Sequence, residues 1–551
     1  MNIPFRLIAS LVLAISAVCA PAFAQAPSPD AQFTAMLGEL REAGYADKEA
    51  IIDRLVATGH RNTASALTAM LEDRLYYRNS DQAVVITRTA EDGATPLELL
   101  DPVTLRAIGT AAPDQLTKVG TNNRLRRFLR TASARFGLSS PDASVRVDAV
   151  REMARALEPA TIELLRQRAT VEADSAVNRE IDTALALVAL EGTDRQARLD
   201  AVAVLGKRLT PEARNRLSAL VERADDGSYA EPDEAVREAA AAAIDSINFT
   251  RSIYSGIETL FFGLSLGSVL VLIAIGLAIT FGVMGVINMA HGELMMLGAY
   301  TTYVVQLAMP RHLEISILVA IPAAFLVTGL AGVVLERTII RFLYGRPLET
   351  LLATFGVSLL LQQFVRSVFS ANNRTVVTPQ WMSGTWQIND ALGITYNRLY
   401  IVLFTGVVFA LLLGVLRRTR LGLDIRAVAQ NRGMARAMGI RSKWVDAMTF
   451  GLGAGIAGVA GVALSQLTNV GPNLGQAYII DSFMVVVFGG VGNLWGTLIG
   501  GMSLGIINKL LEPYAGAVLG KIFVLVALIL FIQRRPRGLF PQTGRAAESA
   551  S

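Results

Sequence analysis

The sequence predicts an all-α, polytopic helical membrane protein whose spans follow an N-terminal helical extracytoplasmic domain. Three observations carry this prediction. The 551 residues are 52% hydrophobic and 18% charged, with mean hydropathy +0.43, too apolar for a string of soluble domains or a disordered chain. Charge then divides the chain. Residues 25–250 carry 28 basic and 35 acidic side chains, a net of −7, whereas residues 251–551 carry 22 and 11, a net of +11. Lastly, apolar windows of spanning length crowd into the second half. The pI of about 9.3 belongs mostly to that half. It fits a membrane protein with basic loops and gives no reason to expect nucleic acid.

Residues 1–24 read as a signal peptide. Arg6 precedes an apolar run from Leu7 to Ala20, and Ala22-Phe23-Ala24 forms a small-residue cleavage site. A short signal anchor is the rival reading. The single cysteine, Cys19, lies inside this segment, so no disulfide, thiol catalysis or cysteine metal site is expected in the remainder.

Residues 25–250 show apolar residues at three- and four-residue spacing in an Ala-, Leu-, Arg- and Glu-rich background, a helical pattern. A weak repeat runs through it. Val147-Asp148-Ala149-Val150 is followed by Glu158-Pro159-Ala160. The related Leu199-Asp200-Ala201-Val202 is followed by Thr210-Pro211-Glu212. Each copy leads into a further helix. A helix pair repeating at this length is HEAT-like, and a plain helical bundle is the alternative. Pro159 and Pro211 suit the first turn of a helix. His60 is isolated, and the basic cluster Arg124, Arg126, Arg127 and Arg130 reads as a solvated face.

The apolar half, 251–541, contains windows at 258–281, 289–309, 314–336, 350–369, 399–416, 446–468, 478–510 and 516–533. Arginines crowd the loops near 337–346 and 417–443 and the residues 534–537, which places these on the cytoplasmic side, with 542–551 as a cytoplasmic tail. Residues 370–398 carry only Arg374 and Arg398 and belong outside. An outside start and an inside end require an odd number of crossings. The 478–510 window is broken by Gly489, Gly490, Gly492 and Gly496, so it supplies two crossings or a re-entrant hairpin, giving nine or seven in all. A second break carries Gly282 and Gly285, followed by Asn288, His291 and Glu293. The two breaks occupy matching places, as in an inverted repeat, and broken helices in matching positions point to a transporter's solute path. Asn288, His291, Glu293, Gly489, Gly490 and Asn493 are the candidate path residues. The bland reading of the polar triplet is a helix cap at the interface. No metal site and no cofactor are expected.

Residues 419–443 form a short amphipathic helix in a basic loop, with Arg426, Ala427, Gln430, Ala435, Gly439 and Ile440 as candidate contacts for a cytoplasmic partner. An ordinary positive-inside loop is the alternative, but the small-residue face sets this one apart.

This loop resembles the coupling loop of ABC importer permeases. GVINMAHGELMMLGAY (285–300), RAVAQNRGMARAMGI (426–440) and VVFGGVGNLWGTLIGG (486–501), with RPRGLF at 535–540, resemble the LivH-type permeases of branched-chain amino acid importers. A signal peptide followed by an acidic helical extension resembles the urea branch of that family, the UrtB-type permeases. The resemblance implies urea as the solute, with branched-chain amino acids or short-chain amides as the alternative and a passive channel as a further one. It implies four kinds of association: a second, LivM-like permease subunit, two cytoplasmic ABC ATPases, a periplasmic solute-binding protein, and a bacterial inner membrane. It implies no enzymatic activity. The residues agree on one point: no G-x-x-x-x-G-K-[ST] occurs, so no P-loop cradles ATP in this chain.

Overall fold

The computed structural model describes residues 28–88, 96–155, 157–223 and 228–540. The signal-peptide reading of 1–24 and the tail at 542–551 lie outside the described residues. The chain divides into two compact units, 1–247 and 248–551.

The first unit opens with three helices, α1 (Pro29–Glu39), α2 (Tyr45–Ala57) and α3 (Thr63–Leu71). A five-stranded antiparallel sheet follows, which corrects the all-α expectation. Its strands are β1 (Leu75–Arg78), β2 (Val84–Thr87), β3 (Leu97–Leu100), β4 (Ala107–Ala111) and β5 (Leu116–Lys118), in the order β4-β3-β2-β1-β5. Strands of three to five residues are too short to impose a period on a window of helical length, which is why the pattern hides them. Leu75, Val84 and Ile86 on one face join Phe33, Ile52, Leu67 and Met70 in a core completed by Leu125 and Leu129. Tyr76 and Val85, on the opposite face, pack with Leu97, Leu99 and Leu116.

Helices then take over: α4 (Asn123–Gly137), α5 (Ala143–Met153), α6 (Pro159–Val171), α7 (Ser175–Leu190), α8 (Arg195–Leu205), α9 (Pro211–Val221) and the start of α10 (Glu234–Met284). The repeat seen in sequence is a three-helix unit, α5–α7 and then α8–α10, and so is longer than a helix pair. Its copies share their caps. Asp142 and Asp194 accept from the second amide of α5 and α8. Pro159 and Pro211 open α6 and α9. Asp174 and Asp233 each accept two amides at the start of the third helix. They also share a buried ion pair, Arg146 with Glu172 and Arg198 with Glu231.

The second unit continues α10 from Asn248 and adds α11 (His291–Ala308), α12 (Leu313–Thr338) and α13 (Pro347–Phe369). A hairpin of β6 (Thr385–Asn389) and β7 (Leu392–Thr395) follows, a second departure from an all-α chain. Then come α14 (Tyr396–Arg418), α15 (Arg420–Gln430), α16 (Arg432–Ala437), α17 (Ser442–Ser465), α18 (Leu474–Gly489) and α19 (Leu494–Arg534). Among the described residues, six helices are long and apolar enough to cross a membrane, against the seven or nine crossings expected: α10, α12 with the turn that follows it, α13, α14, α17 and α19. α11, on the 289–309 window, is not among them, and α18 is a shorter apolar helix. The 478–510 window is divided between α18 and α19, and Gly516 interrupts α19 with non-helical backbone.

Burial orders these helices. α17 is buried along nearly its whole length, because its Gly- and Ala-rich surface lets α11 and α12 approach backbone to backbone. α12, α14 and the end of α19 instead turn Leu326, Leu330, Leu411 and Leu530 outward. An apolar exterior around a small-residue interior is what lipid as solvent selects.

Candidate translocation path and docking loop

The first break lies between α10 and α11. α10 stops at Met284, and Gly285 takes a positive φ of 65°. Asn288 is buried, and its Oδ1 accepts from the Ala290 amide at 3.0 Å. This is an Asx turn just ahead of α11, so part of the capping reading holds. His291 is fully buried, and its Nε2 sits 2.9 Å from the Ile273 carbonyl. That contact makes Nε2 the donor and leaves Nδ1 as an acceptor. Glu293, in the first turn of α11, accepts at Oε1 from Ser358 Oγ (3.1 Å) and Gln362 Nε2 (2.8 Å) on α13. Thr354, one turn earlier on α13, accepts the Met289 amide at 3.1 Å. Sequence reading missed Thr354, Ser358 and Gln362. Their four- and eight-residue spacing on one helix face was the available signal.

The second break lies between α18 and α19. Gly490 and Gly492 have φ of 103° and 77°. Asn493 Oδ1 caps α19 through the Gly496 amide at 3.1 Å, and its Nδ2 donates to the Phe540 carbonyl at 3.3 Å. Gly489 ends α18 and is buried.

The last turn of α10, just ahead of the first break, touches the second break. The sequence predicts an interruption at Gly282, but the helix continues through it to Met284. A Cβ placed on Gly282 would lie 2.5 Å from Gly492 Cα, so only glycine fits there. The polar residues do not join across this contact. Asn288, His291 and Glu293 bond to their own segment, α10 and α13, whereas Asn493 bonds to α19 and Phe540. Three buried atoms of the first break have no protein partner: Asn288 Nδ2, His291 Nδ1 and Glu293 Oε2. Unpaired groups of this kind cost about 1–3 kcal/mol each. They are retained where water or a polar solute can serve them.

The loop at 419–443 is two helices, α15 and α16, capped by Thr419 and Asn431. Ile425, Val428 and Ala435 pack inward on Val445, with Ala427 and Ile440 beside them. Ala435, read from sequence as a partner contact, is a core residue here, because α16 must seat against α17. Arg426, Gln430 and Gly439 are exposed. So are Leu423, Met434 and Met438, at 59%, 61% and 77%, three apolar side chains that sequence reading overlooked. Gly439, with φ 88°, closes α16: its amide bonds to Arg436 and that of Ile440 to Ala435. Beneath the loop, Arg432 donates to Asp446 Oδ1 at 2.5 Å and covers the Tyr344 ring at 4.9 Å. Tyr344 in turn donates to Glu336 at 3.0 Å. One arginine of the loop therefore touches groups linked to both α12 and α17.

Comparison with known proteins bears on the second unit. Residues 259–532 match the family described as "Branched-chain amino acid transport system / permease component". The high-affinity branched-chain amino acid transport system permease protein LivH of Salmonella typhimurium is 31% identical over 293 residues, 51% of this chain and 94% of the relative. BraD of Pseudomonas aeruginosa, a permease of the same description, is 32% identical over 298 residues, 52% of this chain and 96% of the relative. The ribose import permease protein RbsC of Escherichia coli is 27% identical over 289 residues, 50% of this chain and 85% of the relative. No solved structure matches.

Proposed function

The chain belongs to the permease family of branched-chain amino acid ABC transport systems, and on that premise we propose that it forms one half of an importer's translocation path for a small polar solute of the branched-chain amino acid class. The observation that carries this reading is the contact of the second glycine break with the end of α10, where the first begins, with three unpartnered polar atoms buried on the first. A hydrophobic wall cannot pass a zwitterion. Backbone freed by a break, together with unpaired amide, imidazole and carboxylate groups, offers it hydrogen bonds at depth.

The remaining parts follow the same logic. The exposed face of α15 and α16 suits a cytoplasmic ATPase, since apolar anchors ringed by arginines are what a docking surface presents. With no phosphate-binding loop in this chain, ATP hydrolysis falls to that partner, and this subunit is not an enzyme. A second permease subunit and a periplasmic binding protein complete the importer, and the first unit sits on the periplasmic side. The relatives, named for branched-chain amino acids, favour that solute class over urea. Urea rests on one feature, the polar unit that precedes the matched region 259–532.

The test is uptake of labelled leucine and of labelled urea in cells with and without this chain, each competed by an excess of the other. Chain-dependent leucine uptake that ignores urea supports the proposal. Chain-dependent urea uptake that ignores leucine moves the solute to urea, and loss of neither on deletion of the chain overturns the transport reading.

A further inference from the structure

The segment after α19, Arg535–Phe540, is absorbed by none of the roles above, yet it lies along the second break. The chain leaves α19 at Arg535 and turns through Gly538, which has φ 76° and donates its amide to Arg535 at 3.1 Å. It then runs past the end of α18. The Leu539 amide donates to the Phe488 carbonyl at 2.9 Å, and the Phe540 amide to the Gly489 carbonyl at 3.2 Å. Asn493 closes the loop from the other side by donating to the Phe540 carbonyl at 3.3 Å. The approach is backbone to backbone. A Cβ on Gly538 would lie 2.8 Å from Gly490 Cα, and one on Gly490 would lie 2.5 Å from the Phe540 carbonyl oxygen.

A helix end leaves its last carbonyls without intrahelical donors. In α18 only the Gly490 amide is supplied locally, to Val486 at 3.0 Å. The carbonyls of Phe488 and Gly489 are served by amides some fifty positions away along the chain. Three residues beyond Gly489, Gly492 meets Gly282 at the end of α10, where the first break begins. The segment thus sets the shape of the turn that touches the end of α10. Phe540 is 38% exposed, so its backbone matters here more than burial of its ring.

We propose that Arg535–Phe540 is a strap that positions the second break, with the amides of Leu539 and Phe540 as its working groups, and that transport depends on it. The functional half rests on the reading that the breaks line the path. The test uses the full chain with its partner subunits, Cys19→Ser as background and Val491→Cys as a reporter in the turn. Leu539→Pro removes the donor, and Leu539→Ala keeps it. The expected result is that the proline variant labels faster with a thiol reagent at position 491, by about tenfold for one lost buried hydrogen bond. Its uptake of whichever solute the parent carries falls at an unchanged membrane level, while the alanine variant matches the parent in both. Parental labelling in the proline variant overturns the strap. Faster labelling with normal uptake overturns its role in transport and leaves the path reading to the uptake comparison with and without the chain, which fails or holds independently of the strap. Should the proline variant not accumulate, Asn493→Asp keeps the Oδ1 cap on α19 and replaces the Nδ2 donor by a charged oxygen that repels the Phe540 carbonyl. Faster labelling there supports the strap, and parental labelling overturns it.

Discussion

At the scale of single residues, the buried charges of the first unit are the most exacting. Glu172 has a side chain only 1% exposed and receives both Arg146, at 2.9 Å, and Arg168. The hydrogen bond from Arg146 holds its carboxyl at about 2, against burial that pushes the other way, with the Asp174 amide and Arg168 assisting. The folded value lies below the ordinary carboxylate value of 4.5. The stabilisation is therefore complete above that value and is lost as pH falls toward 2. Thermal unfolding followed by circular dichroism from about pH 6 down to pH 3 should show a first-unit transition that falls steadily below pH 4.5. In Glu172→Gln that slope should flatten. An identical slope in both proteins would mean that this carboxyl is not the titrating group. Truncation to Glu172→Ala strands Arg146 and should cost about 3–5 kcal/mol, the usual penalty for breaking a buried pair.

Among the elements, α15 and α16 combine a buried side with an exposed one. Ile425, Val428 and Ala435 hold the pair against α17, while Met438 stands 77% exposed on the far side. A charge at that position disturbs no packing. Met438→Asp should leave the protein's amount in the membrane unchanged, within about 0.5 kcal/mol in stability. It should also abolish copurification of the ATPase subunits and reduce uptake severely. Retained copurification would place the ATPase elsewhere. Gly439 is a poorer choice for such a test. Its left-handed backbone closes α16, so any side chain there adds about 1–2 kcal/mol of strain that would blur docking with misfolding.

For the whole molecule, the family match stops short of the first unit: residues 259–532 are covered, and the unit ends at 247. Each unit has its own hydrophobic clusters. Those of the first gather around Phe33 and Leu129 and around Leu205 and Leu217. Those of the second gather around Leu272 and Ala457 and around Leu277 and Val485. Deleting 31–245 while keeping residues 1–30 should therefore leave the second unit inserted, measured as protein in the carbonate-washed membrane fraction. Uptake by the shortened chain then reports what the first unit adds. Loss of the shortened protein would show that the first unit is needed for the second to fold.

Sequence by itself determined the division into a polar and an apolar half, the six long apolar helices, the place of both breaks and the amphipathic loop. Each is written in local composition. A run of Leu, Val and Ile must leave water, and glycines clustered with Asn near the end of such a run mark where the helix stops, whereas the glycines spaced along α17 stay helical. It also marked the repeat, since Val147–Val150 and Leu199–Val202 copy one pattern. Tertiary structure alone decided the rest. The sheet escaped because its strands are too short to set a period. Glu293 finds Ser358 and Gln362 through the packing of α11 on α13. The meeting of Gly282 with Gly492, and the seating of Leu539 and Phe540 on α18, are contacts between backbones. Backbone groups are the same at every position, so no side-chain pattern announces which amide will reach which carbonyl. Only the packed fold specifies that.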